Sequence, residues 1–165
     1  MKHNHPKIEI MDTTLRDGEQ TSGVSFVPHE KLMIARLLLE DLKVDRVEVA
    51  SARVSEGEFD AVKMICDWAA RRNMLPKVEV LGFVDGHTSV DWIHATGCRV
   101  INLLCKGSLK HCSCQLKKSP EEHIEDILSV VDYANVQDME VNVYLEDWSL
   151  SLIHISEPTR PRLIS

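Results

Sequence analysis

The stretch IMDTTLRDGEQTSGVSF, Ile10 to Phe26, places a short apolar strand directly before a crowded group of polar side chains. The first residues read as a strand, and the residues around Gly18 read as a loop. Five polar or charged residues share this changeover: Asp12, Arg16, Asp17, Glu19 and Gln20. Such crowding is typical either of an ordinary polar turn or of the rim of an active site, and the rest of the chain has to distinguish the two.

The composition indicates one globular domain and excludes several classes of partner. The chain has 165 residues and a mass of 18.7 kDa, which is enough for a single core. Its formal charge of −7 gives no basic footprint, so we expect no nucleic-acid partner. No apolar run approaches the ~20 residues that span a bilayer, and the N-terminus lacks the apolar centre of a secretory signal, so we expect no membrane partner. Five cysteines, an odd number, argue against a disulfide framework and for a cytoplasmic protein.

Hydrophobic periodicity predicts five strands that alternate with four helices. The predicted strands are 7–12, 45–51, 77–84, 99–105 and 140–147, and the predicted helices are 28–42, 55–72, 90–96 and 119–137. Ser119 as N-cap, with Pro120 and Glu122 after it, is a strong helix start, and Ser55 with Glu58 has the same capping-box spacing. A longer loop is predicted between the fourth strand and the last helix.

This β-α alternation predicts an α/β fold with a parallel sheet and right-handed crossovers. Two architectures remain open, a doubly wound open sheet and the beginning of an eight-stranded barrel. No G-x-G-x-x-G motif follows the first strand, which weakens the dinucleotide-binding alternative. In both architectures ligands bind at the carboxyl ends of the strands, where Arg16, Asp17, Glu48 and Glu146 lie.

The C-terminal residues do not continue this pattern. The segment SLSLIHISEPTRPRLIS, residues 149–165, has no sustained helical stripe, and Pro158 and Pro161 stand where the next helix would run. We therefore expect a folded domain over residues 1–148 and a non-native or disordered tail over residues 149–165.

The motif DTTLRDGEQ, residues 12–20, resembles the first-strand signature of the 2-isopropylmalate synthase family. That family belongs to a group of metal-dependent barrels that includes citramalate and homocitrate synthases and hydroxymethylglutaryl-CoA (HMG-CoA) lyase. The resemblance continues through DRVEVASARVSEGEFDAV, residues 45–62, and KGSLKHC, residues 106–112, and covers residues 7–148. It implies that the chain is the N-terminal part, about five strands and four helices, of a (β/α)8 TIM barrel.

The resemblance also implies a chemistry. Similar enzymes use a divalent metal (Mg, Mn or Zn) and condense acetyl-CoA with a 2-oxo acid. We expect 2-oxoisovalerate as that oxo acid, in leucine biosynthesis, and a homodimeric parent enzyme. Citramalate or homocitrate synthesis, lyase cleavage and a non-catalytic half-barrel that binds a ligand are the alternatives. With only five strands, the isolated chain is expected to be inactive and to self-associate through its open sheet edges.

Residue roles follow from the same resemblance, position by position. Asp17 matches the metal-binding aspartate, and Arg16 matches the arginine that stabilises the oxyanion. The remaining matches are Gln20 near the oxo-acid pocket, Glu48 orienting the arginine, Ser108 and His111 as substrate contacts, and Glu146 as a carboxylate near the reacting centre. The family's two metal-binding histidines form an H-x-H motif late in the barrel. The H-x-H of this sequence, His3-Asn4-His5, precedes the first strand and is in the wrong place.

Plainer interpretations apply to several of these residues. Glu48 could simply pair with the neighbouring Arg46. The HCSC stretch, residues 111–114, has no second ligand pair at a suitable spacing, so a zinc site is not expected. The lysines near it, Lys106, Lys110, Lys117 and Lys118, are better explained as a solvated rim than as coenzyme A phosphate contacts.

Overall fold

The computed structural model of the chain describes residues 8–147. The strands are β1 Met11–Asp12, β2 Arg46–Ser51, β3 Val78–Phe83, β4 Val100–Lys106 and β5 Glu140–Glu146. The helices are α1 Pro28–Arg36, α2 Glu56–Arg71, α3 Thr88–Ala95, α4 Leu109–His111 and α5 Pro120–Val136. The predicted tail, residues 149–165, and the histidine pair His3 and His5 lie outside the described residues.

The sheet is parallel throughout, and its order decides between the two architectures left open by the sequence. Its five strands follow one another in the order β1-β2-β3-β4-β5. A doubly wound sheet would reverse this order at a switch point, whereas a barrel adds each strand on the same side. The fold is therefore part of a (β/α)8 barrel, as predicted.

Alternation along the strands separates an apolar face from a polar one. Val47, Val49, Val80, Ile101 and Leu103 belong to one buried core together with residues of the helices. The helical members of that core are Ala35, Val62, Ile65, Val90, Ile93, Val130 and Ala134. Since successive side chains of a strand point to opposite faces, the residues between those valines and leucines face the interior of the barrel. Three of them are buried polar residues: Glu48, Glu79 and Asn102.

Two local predictions were wrong. The first strand is confined to Met11–Asp12, although Ile10 already accepts hydrogen bonds from the backbone of Asp45 and Arg46. The predicted loop after β4 contains α4, which continues as a π-helical turn over Cys112–Leu116. Ser108 starts this helix because its hydroxyl accepts the backbone N–H of His111 at 3.2 Å.

The two predicted capping boxes differ. At Ser119 both reciprocal bonds with Glu122 form, as expected from the sequence. At Ser55 the hydroxyl accepts the backbone N–H of Glu58, but the Glu58 carboxylate turns away to Lys31. The buried Lys31 ammonium therefore binds the Glu58 carboxylate that would otherwise complete the capping box.

The fold has three further features. Gly82 is required by packing, because a Cβ at this position would lie 2.5 Å from Cδ1 of Ile101 on the next strand. All five cysteines are free, so no disulfide stabilises the domain. Within residues 8–147, none of the helices combines the length and the apolar character that crossing a bilayer requires.

Candidate functional site

Arg16 and Asp17 are held at the carboxyl end of β1 by a tight turn. The backbone N–H groups of Arg16, Asp17 and Gly18 all donate to the carbonyl oxygen of Thr13, at 3.1, 2.8 and 3.2 Å. Three bonds to one oxygen fix the direction in which the two charged side chains leave the strand. The Nη1 of Arg16 then donates to Oδ1 of Asp17 at 2.9 Å.

Glu48 fixes the other side of the Arg16 guanidinium. The Nε of Arg16 donates to Oε2 of Glu48 at 2.6 Å, and the Glu48 side chain has no exposed surface. Its other oxygen, Oε1, accepts the side-chain amide of Asn102 at 2.8 Å. Asn102 in turn accepts from Asn142 Nδ2 at 3.0 Å. Both oxygens of this buried carboxylate are therefore engaged by fixed donors.

Arg46 does not pair with Glu48, contrary to the plainer interpretation of Glu48. Its Nη1 donates to Glu79 on β3 at 3.1 Å, and its Nε lies 3.6 Å from Oε2 of Glu9, which is an ion-pair distance but too long for a hydrogen bond. Glu79 lies opposite Glu48 in the sheet register. Burial raises the pKa of Glu79, against the opposing effects of Asn102 and Arg46. The interior therefore holds two different carboxylates, Glu48 with both oxygens satisfied and Glu79 with one oxygen unpartnered in the described chain.

Tyr144, on β5, borders the same interior as Glu48 and Glu79. Its hydroxyl donates to the sulfur of Met11 at 3.4 Å, so a residue of β5 contacts a residue of β1 across the concave face. Burial, with the nearby charges of Glu48 and Glu79, raises the pKa of Tyr144 to about 12. The phenol therefore stays neutral beside the Arg16–Glu48 pair at physiological pH.

Gln20 is exposed and lines a pocket of about 430 Å³ next to Arg16. The loop that holds it is anchored by Lys31, which is only 1% exposed. The Lys31 ammonium lies 2.5 Å from Oε2 of Glu19 and 2.5 Å from Oε1 of Glu58. It thus joins the loop after β1 to helices α1 and α2, a role that the sequence analysis missed.

The other predicted site residues form a second group at the ends of β4 and β5. Lys106 and Glu146, paired in the sheet register, form a salt bridge. His111 Nε2 lies 2.9 Å from Oδ2 of Asp147, while its Nδ1 is buried without a hydrogen-bond partner in the described residues. The Ser108 hydroxyl caps α4, as described above. Asp147 was not among the predicted site residues.

The structure thus brings the predicted residues together in two groups. Arg16, Asp17 and Glu48 are in direct contact, whereas Ser108, His111 and Glu146 cluster at the neighbouring strand ends. Asn102 lies on β4 and joins the first group to the strands of the second. A polar residue inside the apolar run RVINLLC was the sequence signal that could have identified it.

The fit of a divalent metal can be examined at Asp17. Its side chain is 60% exposed, and carboxylate oxygens are suitable ligands for Mg²⁺, Mn²⁺ and Zn²⁺. Within residues 8–147 no cluster of three or more candidate ligands occurs. Asp17 therefore fits as one ligand of a metal site and does not form such a site alone.

Fold and site together define an incomplete β/α barrel with a charged centre at the carboxyl ends of its strands. The chain belongs to the HMGL-like family, whose model matches residues 7–154. It is 38% identical over 142 residues to 2-isopropylmalate synthase of Saccharolobus solfataricus, covering 86% of this chain and 35% of that protein. It is 37% identical over 142 residues to (R)-citramalate synthase CimA of Methanocaldococcus jannaschii, covering 85% of this chain and 27% of that protein. Homocitrate synthase AksA of Methanopyrus kandleri is 39% identical over 142 residues, with 86% and 34% covered.

The chain thus spans 27–35% of the length of these relatives. Among solved structures it resembles HMG-CoA lyase of Bacillus subtilis, with a TM-score of 0.63 and 18% identity over 84% of this chain and 46% of that one. The HMG-CoA lyase of Brucella melitensis gives a TM-score of 0.55 and 20% identity, over 84% and 48%. At these identities the solved structures establish the barrel fold alone.

Proposed function

We propose that the chain forms the first part of an acyltransferase barrel that condenses acetyl-CoA with a 2-oxo acid. The observation that carries this proposal is the Arg16 guanidinium, fixed between buried Glu48 and exposed Asp17 at a strand end. Relatives that are synthases, at 37–39% identity, support this reaction class over lyase cleavage.

Arg16 is suited to stabilise negative charge on the former carbonyl oxygen of the oxo acid. Its bonds to Glu48 and Asp17 use two of the five N–H donors of a guanidinium. We propose that the other N–H donors bind the oxyanion. Because the guanidinium is already oriented, little reorganisation is needed when charge develops, and a donor of this kind contributes roughly 3–4 kcal/mol to the barrier reduction.

Asp17 would supply one ligand to the divalent metal. When bound there, the metal would act as a Lewis acid on the oxo-acid carbonyl. The Asp17–Arg16 contact supports this assignment, because it brings the oxyanion donor next to the proposed ligand. The pocket of about 430 Å³ beside Arg16 and Gln20 is the proposed position of the oxo acid.

For the remaining residues we propose the roles implied by the family resemblance. Ser108 and His111 contact the substrate, and Glu146 provides a carboxylate near the reacting centre. The contact of His111 Nε2 with the Asp147 carboxylate, at 2.9 Å, supports an imidazole of fixed orientation at this position. Among oxo acids we propose 2-oxoisovalerate first, with pyruvate and 2-oxoglutarate as the alternatives that correspond to citramalate and homocitrate synthesis.

A chimeric enzyme tests this proposal. Residues 8–147 would replace the matching segment of the Saccharolobus solfataricus 2-isopropylmalate synthase, and thiol release from acetyl-CoA would be followed with each of the three oxo acids. We expect release that requires 2-oxoisovalerate and disappears with a chelator. Arg16→Gln in the same chimera should lower kcat by roughly 10²–10³, while Arg53→Gln, at an exposed ion pair, should not.

Two results would redirect the proposal. Faster release with pyruvate or 2-oxoglutarate would reassign the substrate within the family. Oxo-acid binding without any thiol release, in a chimera that folds, would favour a binding module without catalysis.

A further inference from the structure

A row of side-chain hydrogen bonds crosses the concave face from β5 to β1. Asn142 donates to Asn102 at 3.0 Å, Asn102 donates to Glu48 at 2.8 Å, and Arg16 donates to the other oxygen of Glu48 at 2.6 Å. Arg16 then reaches Asp17 at 2.9 Å. The row joins four strands or strand ends that are far apart in sequence.

The chemistry of the two amides fixes the direction of this row. An asparagine side chain has one accepting oxygen and one donating nitrogen. Because Asn142 donates to the oxygen of Asn102, the nitrogen of Asn102 is turned toward Glu48. Asn102 is fully buried, so water does not compete for its amide. Glu48 therefore meets a donor whose orientation is set by a second asparagine.

Glu79 provides a comparison inside the same structure. It is also buried and lies opposite Glu48 in the register, but one of its oxygens has no partner among the described residues. Full satisfaction is thus a property of Glu48 and not of every carboxylate in this interior. Because both of its oxygens are hydrogen-bonded, the Glu48 carboxylate is held in one rotamer. The Arg16 guanidinium that is bound to it is therefore held in one position.

We infer that Asn102 is a positioning residue for Arg16: with its amide set by Asn142, it holds Glu48 and thereby aims the guanidinium. The consequence for catalysis rests on the proposed function, whereas the positional effect on Arg16 does not. Neither asparagine needs to touch a substrate for this role.

The test uses the full chain labelled with ¹⁵N and the exchange of the Arg16 Nε–H proton with water. Arg16→Lys removes this resonance and so assigns it. Asn102→Leu keeps the branching and the number of side-chain heavy atoms but removes the donor. We expect exchange at Arg16 to accelerate about tenfold, the ratio that corresponds to one ordinary hydrogen bond. Asn142→Leu should act in the same direction and less strongly, and Asn135→Leu, at an exposed position of α5, should have no effect.

A dispersed spectrum with unchanged Arg16 exchange in Asn102→Leu would overturn the inference. If that variant does not fold, Asn142→Leu decides by the same measurement, since it removes only the bond that orients Asn102. In the chimera described above, Asn102→Leu should lower kcat and leave KM for the oxo acid nearly unchanged. An inactive chimera would contradict the proposed function. The exchange measurement at Arg16 would still test the positioning role of Asn102, because it does not depend on activity.

Discussion

The Nε of Arg16 lies 2.6 Å from Oε2 of Glu48, whose side chain is completely buried, while the Arg16 side chain is 18% exposed. The pair therefore spans the boundary between the barrel interior and its open end. Removing the cation leaves a buried carboxylate with only Asn102 as donor. Such an uncompensated charge is costly, whereas the intact pair need not be strongly stabilising.

Arg16→Gln should accordingly lower the free energy of unfolding by roughly 3 kcal/mol. Arg53→Gln is the matched control, because Arg53 is 49% exposed and its bond to Asp85 should contribute less than about 1 kcal/mol. Urea unfolding of both variants measures the difference. Equal effects of the two substitutions would show that the buried charge is relaxed by water or by rearrangement.

Lys31→Met should destabilise the chain because it leaves Glu19 and Glu58 facing each other without their shared cation. These carboxylates are 20% and 15% exposed, so we expect a loss of roughly 2–4 kcal/mol, somewhat less than for fully buried ions. Lys63→Met is the control, since Lys63 is 53% exposed and lies 3.9 Å from Asp67. Thermal and urea unfolding compare the two. A small effect at Lys31 would contradict its role as the anchor of the Gln20 loop.

Glu79→Gln should remove a loss of stability that the wild type shows as the pH rises above 4.5. Burial places the folded-state pKa of Glu79 above the ordinary value of 4.5. Between that value and the raised pKa, the unfolded chain releases the proton while the folded chain retains it, so wild-type stability falls as pH rises. Glutamine has no such proton. The stability of Glu79→Gln relative to the wild type should therefore increase as the pH rises from 4.5 toward the raised pKa of Glu79.

Urea unfolding across that pH range measures this effect. Asn135→Gln, a change without any titratable group at an exposed position of α5, serves as the control and should give a difference that is nearly independent of pH. A difference at Glu79 that decreases with rising pH would mean that the ion pair with Arg46 outweighs the burial.

The outer face of β5 should cause self-association. Val143 and Leu145 are 47% and 42% exposed there, and β5 is the last strand of the described sheet. An open edge with apolar side chains is a template for pairing with another chain. Replacing both residues by lysine should lower the weight-average mass in sedimentation equilibrium. Val136→Lys, 80% exposed at the end of α5, is the control and should leave the mass unchanged.

The sequence by itself determined the α/β class, the existence of the five strands, and the helix starts at Ser55 and Ser119, because period and capping are local properties. It also predicted Arg16, Asp17 and Glu48 as site residues, from their places at strand ends and from the resemblance of DTTLRDGEQ to the family signature. It misjudged the loop after β4, since the three-residue helix α4 is too short to produce a periodic signal.

Tertiary structure alone decided the partners of Arg46 and Asn102, whereas the Arg16–Glu48 pair was already implied by the family resemblance. The sequence placed Arg46 two residues from Glu48, yet side-chain contacts across the sheet give Arg46 to Glu79 and Arg16 to Glu48. The same holds for Asn102, which is 54 residues from Glu48 in the chain and 2.8 Å from it in space. Strand order and register set such pairs, and both follow from packing of the whole sheet against its helices, which no local stretch of sequence specifies.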